Sequence, residues 1–369
     1  MVRDEILQLF TEKYVDPLYA QCVKELEERI EKNYEKIQEG IVSAFDKLFK
    51  ALASGEKEVF IIIMTMLRTS LKVGKAACLL SAYDKDWYLD TKPIEITYSA
   101  DWLFGGLISF VDELNRERKQ YQDKITYADI ELIAFEKFRQ YKRYFFIMCR
   151  NAIPEIIKLD SFKEVKKCEV FQMHVGEYVD VTKCLYIEDY SRKETADVKI
   201  DLERLFDEGY MYRHYVDLDL NRGRFTGINV SYTRFEKMNL LKSLFNDGFM
   251  IGTRFEDCNL QGADFSGSSI LWASFANCQL QKANFSKLNK NLEIDNQKLK
   301  SKMFTITEFT NCDLMEADFT ESDLRGYRFI NCYLKGCNFA GINMEHVEID
   351  KTIAIVDVTE EQRRQIKWV

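Results

Sequence analysis

Histidine and proline are scarce in this chain, which has three of each among its 369 residues. His174, His214 and His346 are too few and too scattered for an acid–base or nucleophilic system to be recognised. Phosphate-binding loops, dinucleotide fingerprints, GxSxG turns and HExxH motifs are missing as well. We therefore predict a protein that is not an enzyme and binds no cofactor. The alternative, an enzyme in the helical N-terminal part, has no residues that can be named.

Long apolar runs are also lacking. The longest covers the nine residues 59–67, whereas a membrane-spanning helix needs about 20. No signal peptide opens the chain, so we expect a cytoplasmic protein of bacterial type with no membrane contact. The net charge of −8 argues against direct nucleic-acid binding, because a polyanion attracts a basic surface.

Cysteine pairs of the metal-binding kind are absent, since the ten cysteines include no CxxC spacing, and we predict no metal site. Five cysteines occupy a small position of the repeat described next: Cys258, Cys278, Cys312, Cys332 and Cys337. Cys258 and Cys278, like Cys312 and Cys332, are twenty residues apart and are expected to stack. A disulfide between such neighbours is geometrically possible but is not expected in a reducing compartment.

Large apolar residues recur in this sequence with a period of five residues. A large apolar residue recurs at every fifth position from Leu220 to Phe285 and again, in a shifted phase, from Phe309 to Met344. The residue two positions earlier is usually small, and Asn, Asp, Arg and Gly lie between. Neither an α-helix nor a flat strand has this period. The pattern suits a narrow interior with one large and one small inward position per five residues.

This pattern resembles the pentapeptide repeat family, as in 263–267 (ADFSG) and 317–321 (ADFTE). The resemblance covers residues 216–351. In that family four pentapeptides form one square turn of a right-handed β-helix, so the resemblance implies a quadrilateral solenoid. Residues twenty apart would then stack at about 4.8 Å. Because Leu-type and Phe-type centres alternate, Phe is expected on two opposite walls and aliphatic residues on the other two.

The period lapses near residues 286–303, which contain several lysines unsuited to a narrow interior. Phe285 and Phe309 are 24 residues apart, four more than one coil. Either one coil passes through with a small bulge, or two walls are used and about fourteen residues loop out. We favour the loop. The lysines are Lys287, Lys290, Lys298, Lys300 and Lys302.

Residues 1–165 predict an α-helical bundle. An apolar stripe from Leu26 to Leu52 steps by three and four, which indicates a long helix with Pro17 in its first turn and Ser54 and Gly55 at its end. Further helical patterns cover 57–83, 101–121 and 127–153, before Pro154. In the last of these, residues 135–146 mix bases with aromatics. We interpret them as a core face with solvent-reaching bases, in preference to a nucleic-acid reader.

Residues 166–211 predict a small hairpin followed by a short helix at 201–209 that covers the first coil. The β-helix follows at 212–352. Residues 353–369 predict a cap, with a capping box at Thr359 and Gln362 opening a helix that extends through Trp368. We favour capping over a homodimer contact for this helix. The predicted fold class is thus α+β and multidomain. It comprises the helical bundle, the right-handed quadrilateral β-helix and the C-terminal capping helix.

One outward-facing set of residues is apolar, which is unusual for a solvated face. These residues, the apolar stripe, flank the centres Val230, Met250 and Ile270: Tyr232, Phe249, Ile251, Leu271 and Trp272. We expect them to be covered by the N-terminal helices, by a second copy of the chain or by another protein, with the helices favoured. The chain is therefore interpreted as a non-enzymatic protein-binding or scaffolding protein whose partner the sequence does not identify.

The resemblance also implies an alternative. Some pentapeptide repeat proteins mimic duplex DNA and bind DNA gyrase or topoisomerase IV, which gives antibiotic resistance or self-immunity. That activity requires an acidic rod, but residues 217–351 hold 18 acidic and 16 basic residues. The acidic residues that cluster, here the acidic patch, are expected to ring one coil: Glu308, Asp313, Glu316, Asp318, Glu321 and Asp323.

Overall fold

The computed structural model describes residues 3–67, 69, 77–178, 181–205, 209–288, 307–351 and 358–369. The chain divides into two compact units, Met1–Leu185 and Tyr186–Val369.

The predicted helical region is present in the first unit. Helix α1 (Arg3–Phe10) is joined by a π-helical turn at Thr11–Val15 to α2 (Asp16–Lys32), and α3 (Tyr34–Ala53) follows. The stripe that predicted one long helix is buried, but Asn33 interrupts the helix with φ −120°. Pro17 lies in the first turn of α2, directly after the π-helical turn, in which the Asp16 N–H donates to the Thr11 carbonyl.

Two more of the predicted helices are confirmed. Helix α4 (Asp101–Glu117) continues as a 3-10 turn at Arg118–Lys124 and is followed by α5 (Tyr127–Ile156) and α6 (Asp160–Glu164). Pro154 lies in the last turn of α5, close to the predicted boundary. Phe138, Tyr141 and Phe145 are at most 1% exposed, so this face of α5 belongs to the core.

The prediction of a helix at 57–83 is wrong, and the first unit is therefore not a purely helical bundle. This segment contains β1 (Val59–Met66) and β2 (Ala77–Tyr83), which pair antiparallel. They belong to a five-stranded sheet, in the order β3-β2-β1-β4-β5, with β3 (Ile94–Ser99), β4 (Lys167–Glu177) and β5 (Thr182–Asp189). A short, fully buried apolar run does not distinguish a central strand from a buried helix by its period.

The predicted hairpin region supplies β4 and β5, which are neighbours in this sheet. Strand β4 also pairs parallel with β1, so these residues complete the sheet of the first unit instead of forming a separate linker. The prediction of a short helix at 201–209 is wrong in its bounds: α7 (Thr195–Glu203) overlaps it only at 201–203 and ends before Gly209. Its Leu202 packs into the core of the second unit.

The second unit is built on an eight-stranded parallel sheet of very short strands, in sequential order from β6 to β13. The strands are β6 (His214–Val216), β7 (Arg234–Glu236), β8 (Arg254–Glu256), β9 (Ser274–Ala276), β10 (Glu308–Thr310), β11 (Arg328–Ile330), β12 (Glu348–Ile349) and β13 (Lys367–Trp368). Three further ladders of parallel bridges run beside it, through Asp219 and Asn239, Arg224 and Leu244, and Asn229 and Phe249. Residues twenty apart therefore stack, as the period predicted.

Two ladders of stacked phenylalanines fill the interior. In one, Phe245, Phe265 and Phe285 stack with ring centroids 4.9–5.3 Å apart, and in the other Phe255 and Phe275 stack at 4.9 Å. The ladders meet edge to face, as between Phe265 and Phe275. Beside them lie the small residues, whose polar groups bond to a carbonyl of the preceding coil.

Polar side chains at the small positions of the repeat donate hydrogen bonds to backbone carbonyls. Ser243 Oγ donates to the Leu220 carbonyl at 2.9 Å, Thr253 Oγ1 donates to the Val230 carbonyl at 2.8 Å and Cys258 Sγ donates to the Phe235 carbonyl at 3.4 Å. These three side chains are at most 1% exposed. A hydroxyl or thiol fits here because it is small and its one donor is satisfied without water.

The stacking register changes across the predicted insertion. Phe275 pairs with Phe309 and Asn284 with Asp318, an offset of 34 residues instead of twenty. The difference equals the fourteen residues expected to loop out. Lys287 is exposed and Leu288 is buried in the interior. Residues 289–306, including the other four lysines, lie outside the described residues.

The C-terminal capping box is present. Thr359 Oγ1 accepts from the Gln362 N–H, and Gln362 Oε1 accepts from the Thr359 N–H. Helix α8 (Glu360–Gln365) is shorter than predicted, because Lys367 and Trp368 form β13 beside β12. Gln362 Nε2 also donates to the carbonyls of Phe339 and Ile342. Residues 352–357, predicted to help close the last coil, lie outside the described residues.

Candidate functional site

The apolar stripe lies along one ladder of the second unit. Phe249 pairs with Asn229 on one side and Ser269 on the other. The Tyr232 N–H donates to the Ile251 carbonyl, and the Gly252 N–H donates to the Leu271 carbonyl, both at 2.8 Å. Three successive coils thus bring together the five residues that the sequence singled out.

Exposure within the stripe is uneven. Phe249 is 53% exposed, whereas Tyr232, Ile251, Leu271 and Trp272 are partly buried. Exposed phenylalanine on an otherwise ordered backbone leaves apolar surface in contact with water. The stripe is therefore a candidate protein-binding surface.

Tyr212 extends the stripe and was missed in the sequence. Its ring stacks on Tyr232 with centroids 5.1 Å apart and planes at 4°. The Tyr232 ring also lies so close to Gly252 that a Cβ there would be 2.7 Å from a ring carbon, and Gly252 has φ +67°. The spacing could have revealed this residue, because Tyr212 precedes Tyr232 by twenty residues, which is one coil.

The acidic patch is spread over successive ladders. Glu308 lies in β10, Asp313 lies on the ladder of Asn239, and Asp318 lies on the ladder of Leu244. At least three of its six carboxylates are in ion pairs: Glu308 with Arg328 at 2.8 Å, Glu316 with Lys282 at 3.4 Å and Asp323 with Arg325 at 2.6 Å. Such pairing reduces the negative potential that a DNA-like surface needs.

A network of charged groups borders the parallel sheet and was not recognised in the sequence. Arg234 contacts Glu236 at 2.8 Å and Glu256 at 2.7 Å, and it donates to Tyr186 Oη at 3.0 Å. Burial by itself would raise the pKa of Glu236, but Arg234 and Lys237 hold that pKa below its usual range. The recurrence of Arg and Glu at twenty-residue spacing is the signal in the sequence.

His214 belongs to the same network. Its Nδ1 accepts from the Asp189 N–H at 2.9 Å, so the neutral ring carries its proton on Nε2, 3.3 Å from Glu236 Oε2. Burial lowers the pKa of His214 to about 4. The imidazole is therefore neutral at physiological pH and acts as a structural hydrogen-bonding group.

Part of the region with the stacked interior matches a family of known proteins. The model of pentapeptide repeats matches residues 253–289 and 312–349 with eight copies. These residues are pentapeptide repeats. A search of curated proteins gives no match to the chain.

Solved structures of pentapeptide repeat proteins are similar to part of this chain. HetL, involved in heterocyst differentiation regulation in Nostoc sp. strain PCC 7120, is 11% identical over 43% of this chain and 82% of its own, with a TM-score of 0.26. QnrB1, a plasmid-mediated fluoroquinolone resistance protein, is 19% identical over 43% of this chain and 86% of its own, also with a TM-score of 0.26. A thylakoid-lumen protein of Arabidopsis thaliana is 15% identical over 44% and 77%, with a TM-score of 0.11.

The described part of the chain offers no group of three or more His, Cys, Asp or Glu residues that could hold a metal ion. All ten cysteines are free thiols. Cys278 lies between Cys258 and Cys312 in the repeat stack, and burial raises its pKa well above the usual range. Across the same described ranges, no helix is both long and apolar enough to cross a membrane.

Proposed function

We propose that this chain is a non-enzymatic protein-binding or scaffolding protein whose pentapeptide-repeat region is a rigid, right-handed, quadrilateral β-helix. Four ladders at five-residue intervals, each repeating every twenty residues, support four walls per coil. Stacked rings and coil-to-coil hydrogen bonds support the rigidity of the repeat region, because the loss of one ring contact or one hydrogen bond disturbs the adjacent coils. The proposal places this protein in the cytoplasm.

The apolar stripe is the observation that carries the proposal. Its residues are held by backbone hydrogen bonds between coils, and Phe249 presents more than half of its surface to solvent. A rigid surface loses little conformational entropy when a partner binds. We propose that the stripe is a protein-docking surface. The first unit of the chain, a second copy and a separate protein are its candidate occupants.

Replacing Ile251 and Trp272 together with Asp is expected to abolish docking while the repeat region stays folded. Both side chains point away from the interior, and Trp272 has φ +61°, which Asp tolerates. The stability of the repeat region should therefore change by less than about 0.5 kcal/mol. Solution scattering, the oligomeric state and trypsin sensitivity of the first unit together report which occupant is lost.

A matched control replaces Leu244 and Tyr333, which are 38% and 50% exposed but lie on other ladders, with Asp. The control should leave all three measurements unchanged. If the stripe variant also leaves scattering, oligomeric state and partner binding unchanged, the stripe has no docking role.

The alternative of a DNA-mimicking, topoisomerase-binding protein receives less support from the acidic patch, because at least half of its carboxylates are ion-paired. We expect micromolar protein neither to inhibit supercoiling by DNA gyrase nor to protect it from a quinolone. Supercoiling assays with and without the drug measure both effects. Inhibition or protection that is lost on changing Asp318 and Glu321 to Asn and Gln would favour the alternative.

A further inference from the structure

The first unit contains a groove of about 710 Å³ between α2, α5 and the sheet. Met66 at the end of β1, and Val175 and Gly176 near the end of β4, form part of its lining. Because β1 and β4 are parallel, the groove lies at the carboxyl ends of two adjacent parallel strands. Ligands of open α/β sheets bind at such ends, and the volume is in the range of small-molecule sites.

Positive charge is concentrated at this groove. Arg139, Lys142, Arg143 and Lys183 all line it. Lys142 is paired with the fully buried Glu177. Across the described ranges, no carboxylate lies within ion-pair distance of Arg139, Arg143 or Lys183.

These unpaired cations stand out in a chain of net charge −8. A cleft lined by one sign of charge concentrates ligands of the opposite sign, and guanidinium groups suit phosphate oxygens. The charge therefore indicates an anionic ligand.

Aromatic side chains line the same groove. Tyr19 and Tyr144 contribute from α2 and α5, and Phe146 has the Lys183 ammonium 5.4 Å from its ring centroid. Tyr144 is oriented by donating to Glu27 Oε1 at 2.6 Å and accepting from Arg143 at 3.1 Å. Tyr144 is only 2% exposed, so Tyr19 and Phe146 are the aromatic residues that can present ring surface to a ligand. Such rings stack on planar heterocycles.

We propose that this groove binds a nucleoside phosphate, with its phosphates at Arg139, Arg143 and Lys183 and its base against Tyr19 and Phe146. An inorganic anion would leave most of the aromatic and aliphatic lining unoccupied. A nucleic-acid strand would need a basic surface extending beyond one groove, which the overall charge opposes. Arg139 and Arg143, which the sequence analysis interpreted as solvent-reaching basic residues, would then bind phosphate. This role is separate from the proposed scaffold function.

The test uses the full chain and trinitrophenyl-ATP as a fluorescent probe, without divalent cations. We expect saturable binding at micromolar concentration that ATP displaces. Adenosine and pyrophosphate should each displace the probe at least about tenfold less well, because each engages only half of the groove. Changing Arg139 and Arg143 to Gln should weaken binding by at least about tenfold.

The control changes Arg116 and Lys158 to Gln, which removes two exposed bases of the same unit that pair locally with Glu113 and Glu155. It should bind the probe like the wild type, and circular dichroism checks that both variants are folded. The proposal is overturned by absence of saturable binding, or by equal losses in the two variants. It is also overturned if pyrophosphate competes as well as ATP, or if an oligothymidylate displaces the probe at lower concentration than ATP.

Discussion

Replacing Phe265 with Ala is expected to lower the free energy of unfolding of the repeat region by about 3–5 kcal/mol. Phe265 is fully buried and stacks between Phe245 and Phe285. It also meets Phe255 and Phe275 edge to face, with centroids 5.9 and 5.8 Å apart. The coils are held at fixed spacing by their backbone hydrogen bonds, so the interior cannot collapse into the cavity.

Phe249→Ala provides the matched control, because the same side chain is removed where it is 53% exposed. This change should cost less than about 0.5 kcal/mol. Urea unfolding followed by circular dichroism measures both variants. Similar losses in the two would show that the interior stack does not determine the stability of the repeat region.

Replacing Arg234 with Ala is expected to lower the free energy of unfolding by about 3 kcal/mol, since it removes the guanidinium that two carboxylates share in a partly dehydrated site. The more exposed Lys237 still pairs with Glu236. The side chains of Arg234, Glu236 and Glu256 are 12%, 10% and 23% exposed. Arg328→Ala is the control, because Arg328 also contacts two carboxylates, Glu308 and Glu348, but is 42% exposed. Its removal should cost at most about 1 kcal/mol.

The loss caused by Arg234→Ala should depend on pH. In the wild type the pKa of Glu236 is held below its usual range, so its favourable contribution is complete above about pH 4.3 and is lost as the pH falls through the folded-state pKa. In the variant the pKa of Glu236 should be higher than in the wild type, because the Arg234 guanidinium no longer opposes the effect of burial, and protonation then relieves the buried charge. The difference between wild type and variant should therefore be largest at neutral pH and shrink towards pH 4 and below. A constant difference across this range would contradict the assigned ion pairs.

The largest errors in the sequence analysis arose where a local pattern allows two structures. The run from Val59 to Met66 was predicted to be helical, yet it forms a strand of the sheet in the first unit. Its residues are apolar on both faces, so neither a period of two nor one of 3.6 is visible. Lys367 and Trp368 continue a helical pattern, but pairing with β12 gives their backbone groups partners that the isolated segment lacks.

The candidate surfaces were predictable to different degrees. The five residues of the apolar stripe follow from the repeat, because position within a pentapeptide decides which side chains face outward. The groove of the first unit does not follow, since it combines Tyr19, Arg139, Arg143 and Lys183 from distant parts of the chain. Only the packing of α2 and α5 against the sheet brings these side chains together.

The sequence by itself determined which residues of the repeat region face inward, because a five-residue period gives one large and one small inward position per pentapeptide. The resemblance to pentapeptide repeat proteins implied the stacking of residues twenty apart. The sequence also determined the apolar faces of α3 and α5. Tertiary structure decided the five-stranded sheet and the 34-residue register that places Phe275 against Phe309. It also decided the pairing of Arg234 with two glutamates. These features depend on contacts between residues far apart in sequence, whose energies no local pattern records.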